Sequence, residues 1–152
     1  MEIKNITVLG SGIMGHGIAQ ISAMAGYNVV LRDIEQQFLD KAMEKIKWSL
    51  DKLVSKEKIS EDQRNGIFSR IKPIVDLNDA VRDCDLVIEA VPEIMDLKKK
   101  VYAELDKIAG DQVVFASNTS TLPITEIANT ISRPEKFIGI HFFNPPLLMK
   151  LV

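Results

Sequence analysis

Gly10-Ser11-Gly12-Ile13-Met14-Gly15 follows an apolar run and opens a helical pattern, which makes it a turn able to hold a pyrophosphate. Gly10 permits the tight turn, Gly12 lets the backbone reach a diphosphate with no Cβ in the way, and Gly15 lets helix and strand pack closely. Ile13 and Met14 stand in the first helical turn, where unpaired N–H groups and the helix dipole attract negative charge. A bare strand-to-helix connection is the competing reading, but three glycines weaken a helix start without otherwise helping it. Asp33, 18 residues past Gly15, stands where an acidic side chain accepts hydrogen bonds from ribose hydroxyls and repels a 2′-phosphate. This favours NAD(H) over NADP(H), with Arg32 beside it pulling the other way. Asp33 also reads as an N-cap for the following helix, and the two roles can coexist.

A second group of polar residues stands far along the chain. Ser117-Asn118-Thr119-Ser120-Thr121 follows the apolar run VVFA, and His141-Phe142-Phe143-Asn144-Pro145-Pro146 closes the run FIGIHFF. A lone histidine is usually structural. One at a strand end, with hydroxyls and an amide at neighbouring strand ends, suits a general base.

These residues share an edge only if the chain alternates strands and helices. Strands are expected at Ile3–Leu9, Asn28–Arg32, Leu86–Val91, Val113–Ala116 and Phe137–Phe143, with a short one at Ile71–Val75. Helical periodicity covers Ile13–Ala25, then Ile34–Val54 with apolar residues at Ile34, Phe38, Ala42, Ile46, Leu50 and Leu53, and then Ile94–Ile108. Pro123 opens a short helix through Ile131. SKEKISEDQRNG reads as a helical excursion or a loop. Right-handed crossovers then give an α/β, Rossmann-type doubly wound, mostly parallel sheet with helices on both faces and a ligand at the strand C-termini.

Composition narrows the function classes. The 152 residues carry 19 Lys and Arg against 21 Asp and Glu, a net charge of −2, with no basic run to serve as a nucleic-acid footprint. No apolar stretch is long enough for a membrane-spanning helix, and MEIKNITVLG lacks a signal-peptide layout, so neither membrane nor secretion is expected. One cysteine, Cys84, and two histidines give no zinc-ligand spacing and fit a reducing, cytoplasmic setting.

Taken together, VLGSGIMGHGIAQ, LVIEAVPE, FASNTSTLPI and GIHFFNPPLLMKLV resemble the NAD-binding domain of the 3-hydroxyacyl-CoA dehydrogenases, 3-hydroxybutyryl-CoA dehydrogenases included, from about Ile3 to Val152. The resemblance implies that His141 is the catalytic base, that Ser120 bonds the substrate oxygen, and that Asn144 sits near the nicotinamide. It also implies cofactor contacts from Glu93 and Lys98, and contacts to coenzyme A from Ser49 and Lys56. Thr121, Ile94 and Pro146 depart from the usual family wording without removing a chemical group. In the family, a glutamate that pairs with the histidine follows MKLV, and then a helical substrate and dimerisation domain. The expectation is therefore that residues 1–152 are a cofactor-binding domain, inactive alone, from a 3-hydroxyacyl-CoA dehydrogenase that is a homodimer when intact. A non-catalytic NAD(H) sensor of the same fold is the rival, and it would need no proton acceptor beside the nicotinamide.

Overall fold

Six strands form one parallel sheet in the order β3-β2-β1-β4-β5-β6. In the computed structural model, which describes residues 2–152, they are β1 (Asn5–Leu9), β2 (Asn28–Arg32), β3 (Ile71–Ile74), β4 (Leu86–Glu89), β5 (Val114–Ser117) and β6 (Phe137–Gly139). Sheet growth reverses after β3, when the chain returns to lay β4 beside β1. The crevice between the C-terminal ends of β1 and β4 is thus the switch point at which such sheets bind ligands.

Both faces of the sheet are covered, which is why its strands read as apolar runs rather than alternating ones. Successive residues point to opposite faces. Ile6, Val8, Leu86 and Ile88 join one core with α1 (Ile13–Met24), α2 (Gln36–Ser55) and α3 (Glu61–Ser69), while Leu9, Val87 and Phe115 join the other. That second core is closed by α4 (Leu77–Val81), α5 (Met95–Ile108) and α6 (Ile124–Ala128).

Three local features depart from the sequence expectations, and a fourth settles a reading left open. The long helix begins at Gln36 with Glu35 as N-cap, so Ile34 lies outside it and is 64% exposed, and Leu39 rather than Phe38 enters the core beside Ala42, Ile46 and Leu50. The segment read as a helical excursion or a loop is helical and holds α3, started by a capping box in which the Ser60 hydroxyl accepts from the Gln63 amide and the Gln63 side chain accepts from the Ser60 amide. Helix α4, capped by Asp76, was not anticipated. The last strand ends at Gly139. Past it the Phe142 amide donates to the Asn118 side chain at 2.8 Å instead of to a strand carbonyl, and Pro145 and Pro146 have no amide to donate.

Candidate functional site

The glycine turn has the geometry its spacing predicts. Gly10 adopts φ +89°, its amide donates to the Arg32 carbonyl at 2.8 Å, and a Cβ there would stand 2.6 Å from the Ala90 carbonyl oxygen. A Cβ on Gly15 would meet the Gly10 oxygen at 1.7 Å, so helix and turn are in backbone contact. Gly12 differs from both, since nothing lies within 4 Å of its missing Cβ. Packing does not require glycine there, and the free space is what a pyrophosphate needs. The first helical bond of α1 runs from the His16 amide to the Gly12 carbonyl at 3.1 Å. The amides of Ile13, Met14 and Gly15 precede it, and no side chain caps the helix. The turn therefore fits an anionic group.

Asp33 stands at the end of β2 beside this turn. Its Oδ2 accepts from the Ser11 amide at 2.7 Å and the Ser11 hydroxyl at 2.6 Å, and its Oδ1 from the Ile34 amide at 2.7 Å. The carboxylate is thus clamped to the glycine turn, with lone pairs left on Oδ1 for a ribose hydroxyl. The N-cap alternative is not what forms, because Glu35 occupies that position.

Across the switch point lies a network of charges that the sequence did not disclose. Glu89, at the end of β4, and Lys98, on α5, are both fully buried. Lys98 Nζ donates to Glu89 Oε1 at 2.6 Å and lies 3.2 Å from Glu93 Oε2. Glu89 also accepts from the Ser117 hydroxyl at 2.6 Å and the Val91 amide at 2.8 Å. Glu93 reaches onward and accepts from the Thr119 hydroxyl and, at 3.1 Å, from the Ser120 amide. Burial raises the Glu93 pKa, but the bonds from Thr119 and Lys98 outweigh it and hold the carboxyl below its usual value. Lys98 thus organises the ends of β4 and β5 from beneath the site.

Removing one member of such a pair strands the other charge. Lys98→Met is expected to lower unfolding stability by about 3–5 kcal/mol in urea denaturation. The double change Lys98→Met with Glu89→Leu should recover most of it, because no fully buried charge is then unpaired, and Glu93, which is 39% exposed, keeps its bonds from Thr119 and Ser120. A loss below about 1 kcal/mol in the single variant would mean the pair does not hold these elements together.

Ser120, His141 and Asn144 are exposed at this edge, Ser120 just beyond β5 and the other two beyond β6. The imidazole of His141 packs against Phe143 with ring centroids 4.8 Å apart. The loop is brought back over α1 by Pro146, which is buried on Gly17, where a Cβ would approach the proline Cγ to 3.1 Å. This contact ties the His141 segment to the helix that starts at the glycine turn. Ser49 accepts a bond from the buried Gln20 side chain at 3.0 Å, and exposed Lys56 caps the C-terminus of α2 seven residues further on, on the same side of the helix. These two lie on the α1 and α2 face, apart from the strand ends.

Sequence reasoning gave no role of their own to Ser11 and Thr119, which stand within the motifs it named, and passed over Gly17 and Glu89. Only Glu89 carried a local signal, an acidic residue inside an otherwise apolar strand. His16 was also passed over; its Nδ1 lies 2.6 Å from the Gly12 carbonyl oxygen, and burial lowers its pKa. A cleft of about 300 Å³ near Asn5, Asn28 and Cys84 lies at the other end of the sheet and includes none of the site residues. Among the described residues, no helix is long and apolar enough to cross a membrane.

Comparison with known proteins adds an independent line. Residues 5–152 match the family model described as the 3-hydroxyacyl-CoA dehydrogenase, NAD binding domain. The chain is similar to the fatty acid oxidation complex subunit alpha of Idiomarina loihiensis, 48% identical over 151 residues, covering 99% of this chain and 21% of that one. It is 43% identical over 150 residues to the 3-hydroxybutyryl-CoA dehydrogenase of Bradyrhizobium diazoefficiens, covering 99% of this chain and 51% of that one. The crystal structure of 3-hydroxybutyryl-CoA dehydrogenase from Escherichia coli K12 superposes with a TM-score of 0.96 at 36% identity, covering 99% of this chain and 32% of that one. The chain thus spans about half the length of the 3-hydroxybutyryl-CoA dehydrogenase and a fifth of the oxidation-complex subunit.

Proposed function

Starting from a chain that belongs to the 3-hydroxyacyl-CoA dehydrogenase family and forms its NAD-binding domain, we propose that it is the cofactor-binding half of an enzyme that interconverts (3S)-3-hydroxyacyl-CoA and 3-oxoacyl-CoA. What carries this reading is the free space at Gly12, at the same sheet edge as His141. Bound NAD+ supplies the hydride acceptor for C3 of the substrate. Ile13 and Met14 would offer backbone amides to the pyrophosphate, Asp33 would accept from the adenosine ribose, and Glu93 and Asn144 would flank the nicotinamide half. Lys98, fully buried, would act by fixing Glu93.

His141 accepts the proton that leaves the 3-hydroxyl as the carbonyl forms, and Ser120 donates a hydrogen bond to the same oxygen. Ser49 and Lys56 would contact the coenzyme A portion, with Lys56 as the cation. A helical partner domain would complete the acyl pocket and carry the dimer contact. Cys84, a buried free thiol, fits a reducing cytoplasmic compartment.

Calorimetric titration with both cofactors tests the reading. NAD+ is expected to bind more tightly than NADP+, and Asp33→Ala is expected to weaken NAD+ by about tenfold while narrowing the difference. Equal or tighter NADP+ binding by the unaltered chain would remove Asp33 from the ribose.

A further inference from the structure

Two carboxylates and one ammonium meet behind the end of β4, so Glu89, Lys98 and Glu93 together carry one net negative charge. Their bonding pattern agrees with that count. Glu89 accepts from Lys98, Ser117 and Val91, as an ionised carboxylate does, and the Lys98 ammonium has Glu89, Glu93 and the Val91 carbonyl oxygen at 3.5 Å as acceptors.

The position of this charge matters for a dinucleotide. Asp33 ends β2, on one side of the glycine turn, and the cluster ends β4, on the other. A dinucleotide with its pyrophosphate on the turn and its adenosine at Asp33 extends its nicotinamide toward β4 and β5. The nicotinamide ring is cationic in NAD+ and neutral in NADH, whereas the rest of the molecule is the same in both. A fixed negative charge beneath that ring therefore acts on one redox state only.

We propose that the Glu89–Lys98–Glu93 cluster raises the affinity of this domain for NAD+ relative to NADH, making bound NADH a better hydride donor than it would be without the cluster. The inference rests on the cofactor placement given under the proposed function. A charge about 10 Å from the ring in a medium of intermediate effective dielectric changes the affinity ratio by about fivefold.

The test is the ratio of the NAD+ and NADH dissociation constants, measured by calorimetry on the folded chain and three variants. Glu93→Gln keeps an acceptor for Thr119 and Ser120 but removes the net charge, and it should lower the affinity for NAD+ relative to NADH by about fivefold. Glu93→Asp keeps the charge and should retain the ratio even if both affinities fall. Glu89→Gln is the more demanding case, because Glu89 is fully buried and can reach the cofactor only through its field. It should move the ratio in the same direction by about twofold to threefold. A merely structural role would weaken both cofactors together. A ratio in both Gln variants within experimental error of the unaltered chain, or a Glu93→Asp variant that behaves like Glu93→Gln, would overturn the inference. Failure of the folded, unaltered chain to bind either cofactor would overturn the placement itself, and the inference with it.

Discussion

Gly12→Val is expected to lower NAD+ affinity by at least about 100-fold while leaving the domain folded. The structure separates these two effects. Nothing lies within 4 Å of a Cβ at Gly12, and its φ of −63° with ψ of −163° is backbone that a β-branched residue adopts without strain. The added side chain therefore has no protein neighbour to displace, only the ligand for which the space is kept. The charge-assisted bonds proposed from the Ile13 and Met14 amides to the pyrophosphate would be lost when the phosphates cannot approach. Gly15→Val is the control, because its Cβ would stand 1.7 Å from the Gly10 oxygen and the turn could not form. Circular dichroism and calorimetry should show a folded non-binder at Gly12 and a destabilised chain at Gly15. Unchanged affinity in a folded Gly12→Val variant would place the ligand elsewhere.

Why these two glycines could be read from sequence while other site residues could not is a matter of range. The glycine turn, Asp33 and the apolar runs are local patterns, and their chemistry depends on residues within a strand and the next helix. The doubly wound architecture followed from their alternation, because βαβ units have one hand and the sheet has two faces to cover, while the strand order came from the structure. The clasp between Ser11 and Asp33 joins residues 22 positions apart, and the seat of Pro146 on Gly17 joins residues far more distant. Neither spacing carries a signal of its own. Glu89 was visible as an acid within LVIEAV, but its partner is nine residues on, across a turn, and only the packing of α5 on β4 brings the two charges together. The early end of β6 belongs to the same class. Asn118 supplies an acceptor from another strand end, and the strand pattern of FIGIHFF could not foretell that a side chain would take the place of a ladder carbonyl. The capping box of α3 was legible in Ser60 to Gln63 and was passed over, and the charged composition of the segment left a helical excursion and a loop both open.

The 152 residues taken alone are expected to reduce acetoacetyl-CoA with NADH at a negligible rate, even where NADH binds. His141 is exposed at an open sheet edge, with Phe143 as its aromatic neighbour. A general base contributes about 10²–10⁴-fold only when it is oriented toward the proton it takes. By analogy with the serine hydrolase triad, the carboxylate that fixes such an imidazole contributes up to about 10⁴-fold. The resemblance places that carboxylate in the segment after MKLV. Holding substrate and cofactor in line contributes a further ~7–11 kcal/mol, and this needs a second wall facing the strand ends. Turnover should therefore appear when the domain is joined to the second half that its longer relatives carry, expected from the resemblance to be helical. In that longer protein, His141→Gln should reduce kcat by about 10²–10⁴-fold with little change in NADH affinity, because the imidazole serves the proton and not the dinucleotide. Robust turnover by the 152 residues alone would show either that two copies build a complete cleft, which sedimentation of the active species would reveal, or that the proton acceptor is not His141.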